Sequence, residues 1–269
     1  IKGHIEDENG NILTSYNGVL SPTVFDKPKA GQTLGQNTTS PIINFTTQRN
    51  SMYKGKASIT NGYFDFTFVV PKDINYAYGN GKISYYANNT AIDAAGQDKR
   101  FIVGGLNASG LNDNTPPTVD IFLTDENFVR GGLTAEKPKL LAKIFDENGV
   151  NTVGHGIGHD IVAVLDNNTA DPVLLNDYYI ADLDSYQSGT VQYDFSGLSV
   201  GRHTLSFKVW DVNNNSSEVS IDFIVAEKKE IALDHVLNYP NPFTTRTQFF
   251  FEHNQVCESL DAQIQIYTV

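Results

Sequence analysis

Short runs of alternating apolar and polar residues, each closed by turn-forming residues, recur along almost the whole chain. Lys82–Ala87 shows this pattern, and Tyr63–Val70 repeats it before Pro71, which has no N–H to donate to a ladder. Between these two runs, Gly79-Asn80-Gly81 predicts a tight turn with positive φ angles. Alternation with a period of two indicates half-buried β-strands. Since no convincing amphipathic helix is found, the chain is predicted to be all-β.

A second series of alternating runs follows a small, polar stretch that ends in two prolines. This stretch, Gly104–Pro117, is interpreted as a linker. Asp- and Asn-rich turns at 146–149 and 211–217 lie between the later runs. About seven strands in roughly 110 residues is the size of an immunoglobulin-like sandwich. The predicted strands are Thr118–Leu123, Pro138–Phe145, Ile161–Leu165, Thr190–Phe195, Thr204–Trp210 and Val219–Val225.

The last part of the chain is predicted to be an incomplete module. It follows a short charged bridge, Ala226–Glu230, and is too short to bury a sandwich core alone. Its strands are predicted at Thr247–Phe251 and Gln263–Val269, and the edge left where the chain stops is expected to be adhesive. The predicted organisation is a β-sandwich at 1–110, an Ig-like β-sandwich at 111–227 and the start of an incomplete Ig-like C-terminal module at 228–269.

Charge and composition exclude several classes of partner. The net charge is −12, from 19 Lys and Arg against 31 Asp and Glu, and no basic cluster is present. A nucleic-acid partner is therefore not expected, and the acidic surface is interpreted as a solubility feature. No run reaches the ~18–20 apolar residues that a membrane helix needs. The chain opens at Ile1 without a signal peptide, which is interpreted as a processing boundary.

One segment has the residue types of a transition-metal site. Gly154–Asp160 reads GHGIGHD and contains His155, His159 and Asp160, two imidazoles and a carboxylate. Histidines four residues apart share a face only on a helix, which three glycines oppose. The preferred interpretation is a glycine-rich loop in which His159 or Asp160 hydrogen-bonds backbone at a strand start, so no metal ligand is assigned.

Three Asp- and Asn-rich loops offer the hard oxygen ligands that Ca²⁺ needs: Asp7–Asn11, Asp166–Asn168 and Asp211–Asn215. None matches the EF-hand pattern, and Asp and Asn are also ordinary turn residues of β proteins. No cofactor is therefore predicted, and structural calcium at one of these loops is kept as the alternative.

No catalytic residue is predicted. Because Cys257 is the only cysteine, the chain has no internal disulfide. Cys257 and His253 could act as nucleophile and base only if the fold brought them together with an orienting group. It is interpreted as a small buried hydrophobe. Asp182 and Asp184 form a carboxylate pair of a kind that is unavoidable among 31 acidic residues. No hydrolase or P-loop motif is present.

Four tyrosines are expected to be exposed. Stacking on sugar rings is one use for Tyr76, Tyr78, Tyr178 and Tyr179, and packing in the core or at its rim is the preferred one.

Several stretches resemble a known family. Gly3–Lys27 (GHIEDENGNILTSYNGVLSPTVFDK) resembles the region after the protease domain in the gingipain-like cysteine peptidases of Bacteroidetes (peptidase family C25). Among these, the type IX secretion system sortases are the most similar. NYPNPF resembles the opening of the Ig-like C-terminal module of such surface proteins. Further matches are Thr33–Gly35, Val69–Ile74, Gly79–Ala87 and Gly154–Ile161, and NYPNPF lies at Asn238–Phe243.

The resemblance implies a parent cysteine endopeptidase at the outer-membrane surface of a Gram-negative bacterium. Such a parent trims C-terminal sorting signals and couples cargo to surface polysaccharide. The family's catalytic Cys and His belong to the preceding domain, and no residue here matches them; Cys257 is not that nucleophile. In NYPNPF, Pro240 and Pro242 are expected to hold an extended lead-in that anchors Tyr239 and Phe243.

The function predicted from these observations is a set of non-catalytic structural and interaction β domains in a secreted, gingipain-like peptidase. The expected partners are its own upstream peptidase domain and secretion-machinery or cargo proteins. A carbohydrate-binding or adhesion module is the alternative, on the basis of the tyrosines. Metal-dependent activity at His155 and His159 is a third reading.

Overall fold

The chain is built almost entirely from β-strands. The computed structural model describes residues 1–37, 39–107, 110, 113–153, 158–226, 233–253 and 263–265. Within these residues the only helical element is one 3₁₀ turn at Asn176–Tyr178. The predicted fold class, all-β with tandem β-sandwich domains, is confirmed. No helix in the described part of the chain is long and apolar enough to cross a membrane.

The first β unit (residues 1–107) is organised around one seven-stranded antiparallel sheet. Its strands are β1 (Lys2–His4), β2 (Gly18–Phe25), β3 (Lys29–Gln32), β4 (Asn44–Thr47), β5 (Ser51–Lys54), β6 (Ala57–Thr60), β7 (Tyr63–Asp65), β8 (Gly79–Asn80), β9 (Lys82–Asn88), β10 (Asp93–Asp98) and β11 (Ile102–Val103). The sheet order is β1-β7-β6-β2-β9-β10, and β5 also pairs with β2. β3–β4 and β8–β11 form separate two-stranded sheets.

The core of the first unit comes from alternate positions of the long central strands. Leu20 and Val24 of β2 are buried, as are Ile83 and Ala87 of β9. Because neighbouring residues of a strand point to opposite faces, this alternation covers one face of the sheet with apolar side chains. The Tyr53 ring stacks on the rings of Phe66 and Phe68, which follow β7, and extends this core.

Two sequence predictions for the first unit are wrong in detail. The strand expected at Tyr63–Val70 ends at Asp65, although the Phe66 amide still donates to the Ile1 carbonyl at 2.9 Å. Gly79-Asn80-Gly81 is not a positive-φ turn; its first two residues belong to β8. Gly81 is required for close packing instead, since a Cβ there would collide with the Phe101 ring.

The second β unit (residues 113–226) is a two-sheet sandwich. Its strands are β12 (Thr118–Leu123), β13 (Leu133–Thr134), β14 (Lys139–Phe145), β15 (Val162–Leu165), β16 (Val173–Leu174), β17 (Tyr179–Ala181), β18 (Ser188–Asp194), β19 (Gly201–Trp210) and β20 (Ser216–Val225). One sheet has the order β12-β14-β18-β17 and the other β13-β20-β19-β15-β16. Each of the six strands predicted here is present within a few residues of its expected bounds.

The core of the second unit lies between these two sheets. Leu140, Ala142 and Val191 contribute from one sheet, and Leu205 and Phe207 from the other; all five side chains are completely buried. Burying a large apolar side chain stabilises a fold by roughly 1.5–3 kcal/mol. This shared core holds the ends of β14 and β19, and so the loops that follow them, in fixed positions.

The last described strands form a hairpin, β21 (Leu233–Tyr239) with β22 (Gln248–His253). The expectation for NYPNPF is wrong, because Pro240 and Pro242 lie in the connection between these two antiparallel strands and not in an extended lead-in. Tyr239 and Phe243 are exposed and anchor nothing in the described chain. Gln263–Gln265 forms no strand, and 266–269 lies outside the described residues. The domain boundaries stay a prediction.

Candidate cation site and junction between the two β units

Two turns of the second unit place a buried aspartate at their first position. Asp146 follows β14, and its Oδ1 accepts the amides of Asn148 and Gly149 at 2.8 and 2.9 Å. Asp211 follows β19, and its Oδ1 accepts the amides of Asn213 and Asn215 at 2.9 and 2.7 Å. Aspartates favour such turns because a short carboxylate reaches the backbone two residues on.

The fold brings these two turns together and adds a third carboxylate from the linker. A β-bridge joins Val150 to Asp211. The Oδ2 of Asp113 accepts the side-chain amide of Asn148 at 2.8 Å. As a result, one carboxylate oxygen from each of Asp113, Asp146 and Asp211 lies within 4.8 Å of the others. These three residues are called the acidic cluster below.

Burial and mutual repulsion determine the charge state of the acidic cluster. Burial, opposed by the amides of Asn148 and Gly149 and assisted by the charges of Asp211 and Asp113, raises the pKa of Asp146 to about 6. Hydrogen bonds from the Thr115 amide and then from Asn148 lower the pKa of Asp113. The cluster is thus a partly buried group of like charges, in which one member takes up a proton more readily than usual.

Three convergent carboxylates are ligands that a hard cation such as Ca²⁺ prefers. Asp211 belongs to one of the loops predicted to offer calcium ligands, whereas Asp113 and Asp146 were not predicted. The other two predicted loops use their carboxylates locally. Asp7 accepts amides from its own turn, and Asp166 accepts from His203 and the Thr204 amide. Structural calcium stays a prediction, and the acidic cluster is now its best candidate site.

A partly buried carboxylate of the first unit, Asp73, contacts the same two loops of the second unit. Its Oδ2 accepts the side-chain amide of Asn151 at 2.7 Å and the Nδ1–H of His159 at 2.8 Å. Its Oδ1 accepts the side-chain amide of Asn214 at 3.0 Å. One carboxylate thereby binds three side chains of the second unit. We call these four residues the Asp73 hub.

Of the two residues expected to bond backbone here, His159 does not: its partner is the Asp73 carboxylate, and its ring lies 4.3 Å from the Trp210 ring. For Asp160 the expectation stays a prediction. No metal-ligand group found among the described residues includes His159. His155 lies outside the described residues, as does Cys257. The metal site considered for His155 and His159, and the nucleophile–base pair considered for Cys257 and His253, were alternatives that were not assigned, and each involves a residue outside the described chain.

A second contact between the units uses one of the paired carboxylates. Asp184 accepts the amide and the hydroxyl of Ser58, each at 2.6 Å, and Lys56 forms a parallel bridge with Leu183. The backbone amide of Asp182, the other member of the pair, donates to the Ser188 carbonyl within the second unit.

Of the four tyrosines considered for sugar stacking, two line a cleft and the other two lie in the second unit. Tyr76 and Tyr78 are exposed and line an open cleft of about 890 Å³ in the first unit, with Tyr85 and Phe101 also on its wall. Tyr178 is exposed. Tyr179 is 2% exposed and belongs to the second core, which is the packing preferred for it over sugar stacking, and burial raises the pKa of its hydroxyl.

The sequence offered weak signals for the residues it missed. Asp146 lies in a turn that was recognised as a turn only, and Asp113 lies in a stretch interpreted as a linker. Asp73 belongs to the Val69–Ile74 stretch that resembles the peptidase family. Nothing in the order of residues pairs this stretch with the loop that contains His159.

Comparison with known proteins finds similar solved structures. The crystal structure of dimeric latent PorU from Porphyromonas gingivalis is 32% identical over 94% of this chain and 24% of that one, with a TM-score of 0.45. The chain therefore spans about a quarter of the length of the PorU chain it matches. No protein-family model matches the chain, and no curated protein does.

Proposed function

We propose that this chain is a non-catalytic structural and interaction module of a secreted, cell-surface, gingipain-like cysteine peptidase of the type IX sortase kind. The family resemblance of the stretches named above supports the proposal. Its best single support is the Asp73 hub, in which two of those stretches, Val69–Ile74 and Gly154–Ile161, meet through Asp73 and His159. The residues that carry the resemblance thus share a structural contact.

The module's role in this proposal is to space and dock the upstream peptidase domain at the cell surface, and to contact cargo or secretion-machinery proteins. Buried polar contacts between β units suit such a role, because they specify one geometry where apolar contacts allow several. The proposed parent is the enzyme, and the proposed module contributes no nucleophile.

Proteolysis assays test the non-catalytic part. The purified chain is incubated with casein and with a fluorogenic peptide library, beside a Cys257→Ala variant. We expect no hydrolysis by either protein. Hydrolysis by the wild-type chain that disappears in Cys257→Ala would overturn the proposal. Binding is tested separately by titrating the parent's peptidase domain with the labelled chain, where saturable binding is expected.

A carbohydrate-binding or adhesion module is the second candidate, and the cleft favours it. Open clefts of this size that combine aromatic faces with a few polar groups are typical ligand sites. Tyr78, which is 78% exposed, offers the most accessible ring of the cleft. Affinity electrophoresis in glycan-containing gels should show retardation that Tyr78→Ala removes. Tyr178→Ala, an exposed tyrosine outside the cleft, is the matched control.

A further inference from the structure

The Asp73 hub joins loops that belong to different units. Asp73 lies in the segment after β7, and its three donors lie in the loops after β14 and β19. The Asp73 side chain is 13% exposed and that of His159 25%. Water therefore has little access to replace these bonds. Hydrogen bonds to a charged acceptor are also stronger than neutral ones.

The loop that carries Asp73 is held firmly on its own side. The Asn75 amide donates to the buried Asp26 carboxylate at 3.4 Å, and the Tyr76 hydroxyl donates to the Lys72 carbonyl at 2.7 Å. The Lys72 amide donates across the junction to the Val212 carbonyl at 2.9 Å. Asp73 is thus a fixed part of the first unit that presents its carboxylate to the second.

The contact of Asp184 with Ser58 attaches the units at another point. It uses β6 of the first unit and the segment after β17 of the second, neither of which contributes to the Asp73 hub. One attachment point between two bodies leaves rotation free, whereas two separate points leave only rotation about the line joining them. A third contact between the units, in which the Lys54 ammonium donates to the Asp177 carbonyl at 3.3 Å, opposes that remaining rotation.

We propose that Asp73 is the positioning residue of this junction, and that Asp73 and Asp184 together make the two β units one rigid body that unfolds cooperatively. The inference concerns the geometry of the chain and stands apart from the proposed function. The rigid junction and the cooperative unfolding are expected of the isolated chain, without a parent peptidase or cargo.

Two probes report on the junction directly. Trp210, the only tryptophan, lies against His159 of the hub, so its fluorescence follows the second unit at the junction. The Lys72 amide is bonded to Val212, so its hydrogen exchange reports the contact itself. The Ser58 amide, which donates to Asp184, reports the second contact.

The test compares the wild-type chain with Asp73→Ala and with Asp65→Ala, an exposed aspartate of β7, as the control. We expect one urea transition for Trp210 fluorescence and far-UV circular dichroism in wild type and in the control. In Asp73→Ala the two transitions should separate, and the Lys72 amide should exchange at least about tenfold faster while the Leu20 amide in the central strand keeps its protection. Separate transitions in wild type, or Asp73→Ala behaving like the control, would overturn the proposal.

Asp184→Ala provides the second variant if Asp73→Ala does not fold. Exchange should accelerate at Ser58 more than at Lys72, and small-angle scattering should give a larger radius of gyration than for wild type. An unchanged radius together with unchanged exchange at Ser58 would count against the proposal.

Discussion

Asp146→Asn is the substitution whose effect follows most directly from the acidic cluster. In the folded chain Asp146 is 4% exposed and has a pKa of about 6, whereas an aspartate of the unfolded chain titrates near 3.8. Between these two values the folded state binds more protons than the unfolded state. The free energy of unfolding therefore falls as the pH rises through about 4 to 6, and it stays lower above that window.

The expected magnitude is modest. A pKa of about 6 in place of 3.8 lowers the free energy of unfolding at neutral pH by at most about 3 kcal/mol. Solvent screening around the cluster reduces this loss to about 1 kcal/mol. An asparagine keeps an oxygen that accepts the amides of Asn148 and Gly149. Its NH₂ group then faces the carboxylates of Asp113 and Asp211. Asp146→Asn should thus stabilise the chain by about 1 kcal/mol at pH 7.5 and change little near pH 4.

Urea unfolding followed by Trp210 fluorescence, at both pH values and with EDTA present, measures this difference. Asp120→Asn, at an exposed aspartate of β12 outside the acidic cluster, is the control. Destabilisation by Asp146→Asn at pH 7.5 in EDTA, or an equal gain at both pH values, would refute the reasoning. The same samples with Ca²⁺ test the calcium prediction. A cation held by the three carboxylates raises the stability of wild type and not of Asp146→Asn, which reverses their order.

Three further predictions concern single positions. Burial lowers the pKa of His203, but bonds to the Ser199 carbonyl and to Asp166 outweigh it, so the pKa is raised overall. The stabilisation by His203 should be complete below about pH 6.5 and should be lost as the pH rises through the folded pKa. NMR titration of His203 and urea unfolding of His203→Gln measure this loss. Phe207→Ala, in the centre of the second core, should cost about 3–5 kcal/mol in urea unfolding. Gly81→Ala should cost about 1–3 kcal/mol because its Cβ meets the Phe101 ring, whereas Gly96→Ala, whose Cβ makes an ordinary contact 3.9 Å from the Tyr85 ring, should be nearly neutral in the same assay.

The strands of the second unit could be predicted closely from the sequence. Thr118–Leu123 has the bounds expected from alternation alone, and Lys139–Phe145 differs by one residue. The signal is strong here because each strand has one buried face and ends at an Asp, Asn or Gly turn. The strand expected at Tyr63–Val70 shows the limit of this signal. Its side chains still alternate in burial through Phe66, but hydrogen bonds to a neighbouring strand cannot be inferred from alternation.

The candidate site could be predicted only in part. Asp211–Asn215 was recognised as a loop with oxygen ligands, and Asp146 as the start of a turn. Their convergence with Asp113 depends on the bridge between Val150 and Asp211 and on the path of the linker. Neither is a local property of the sequence. The tyrosines show the same limit, since Tyr179 is buried although its neighbour Tyr178 is exposed.

Local chemistry was sufficient to determine that this chain is all-β, where most of its strands lie, and which aspartates begin turns. These properties depend on residues within a few positions of one another, because side-chain alternation and turn hydrogen bonds are short-range. The tertiary structure alone decided that Asp73 meets His159, that Asp184 meets Ser58, and that three carboxylates gather beside the linker. Each of these contacts joins distant parts of the chain, and which distant parts meet is decided by how the sheets pack around their cores.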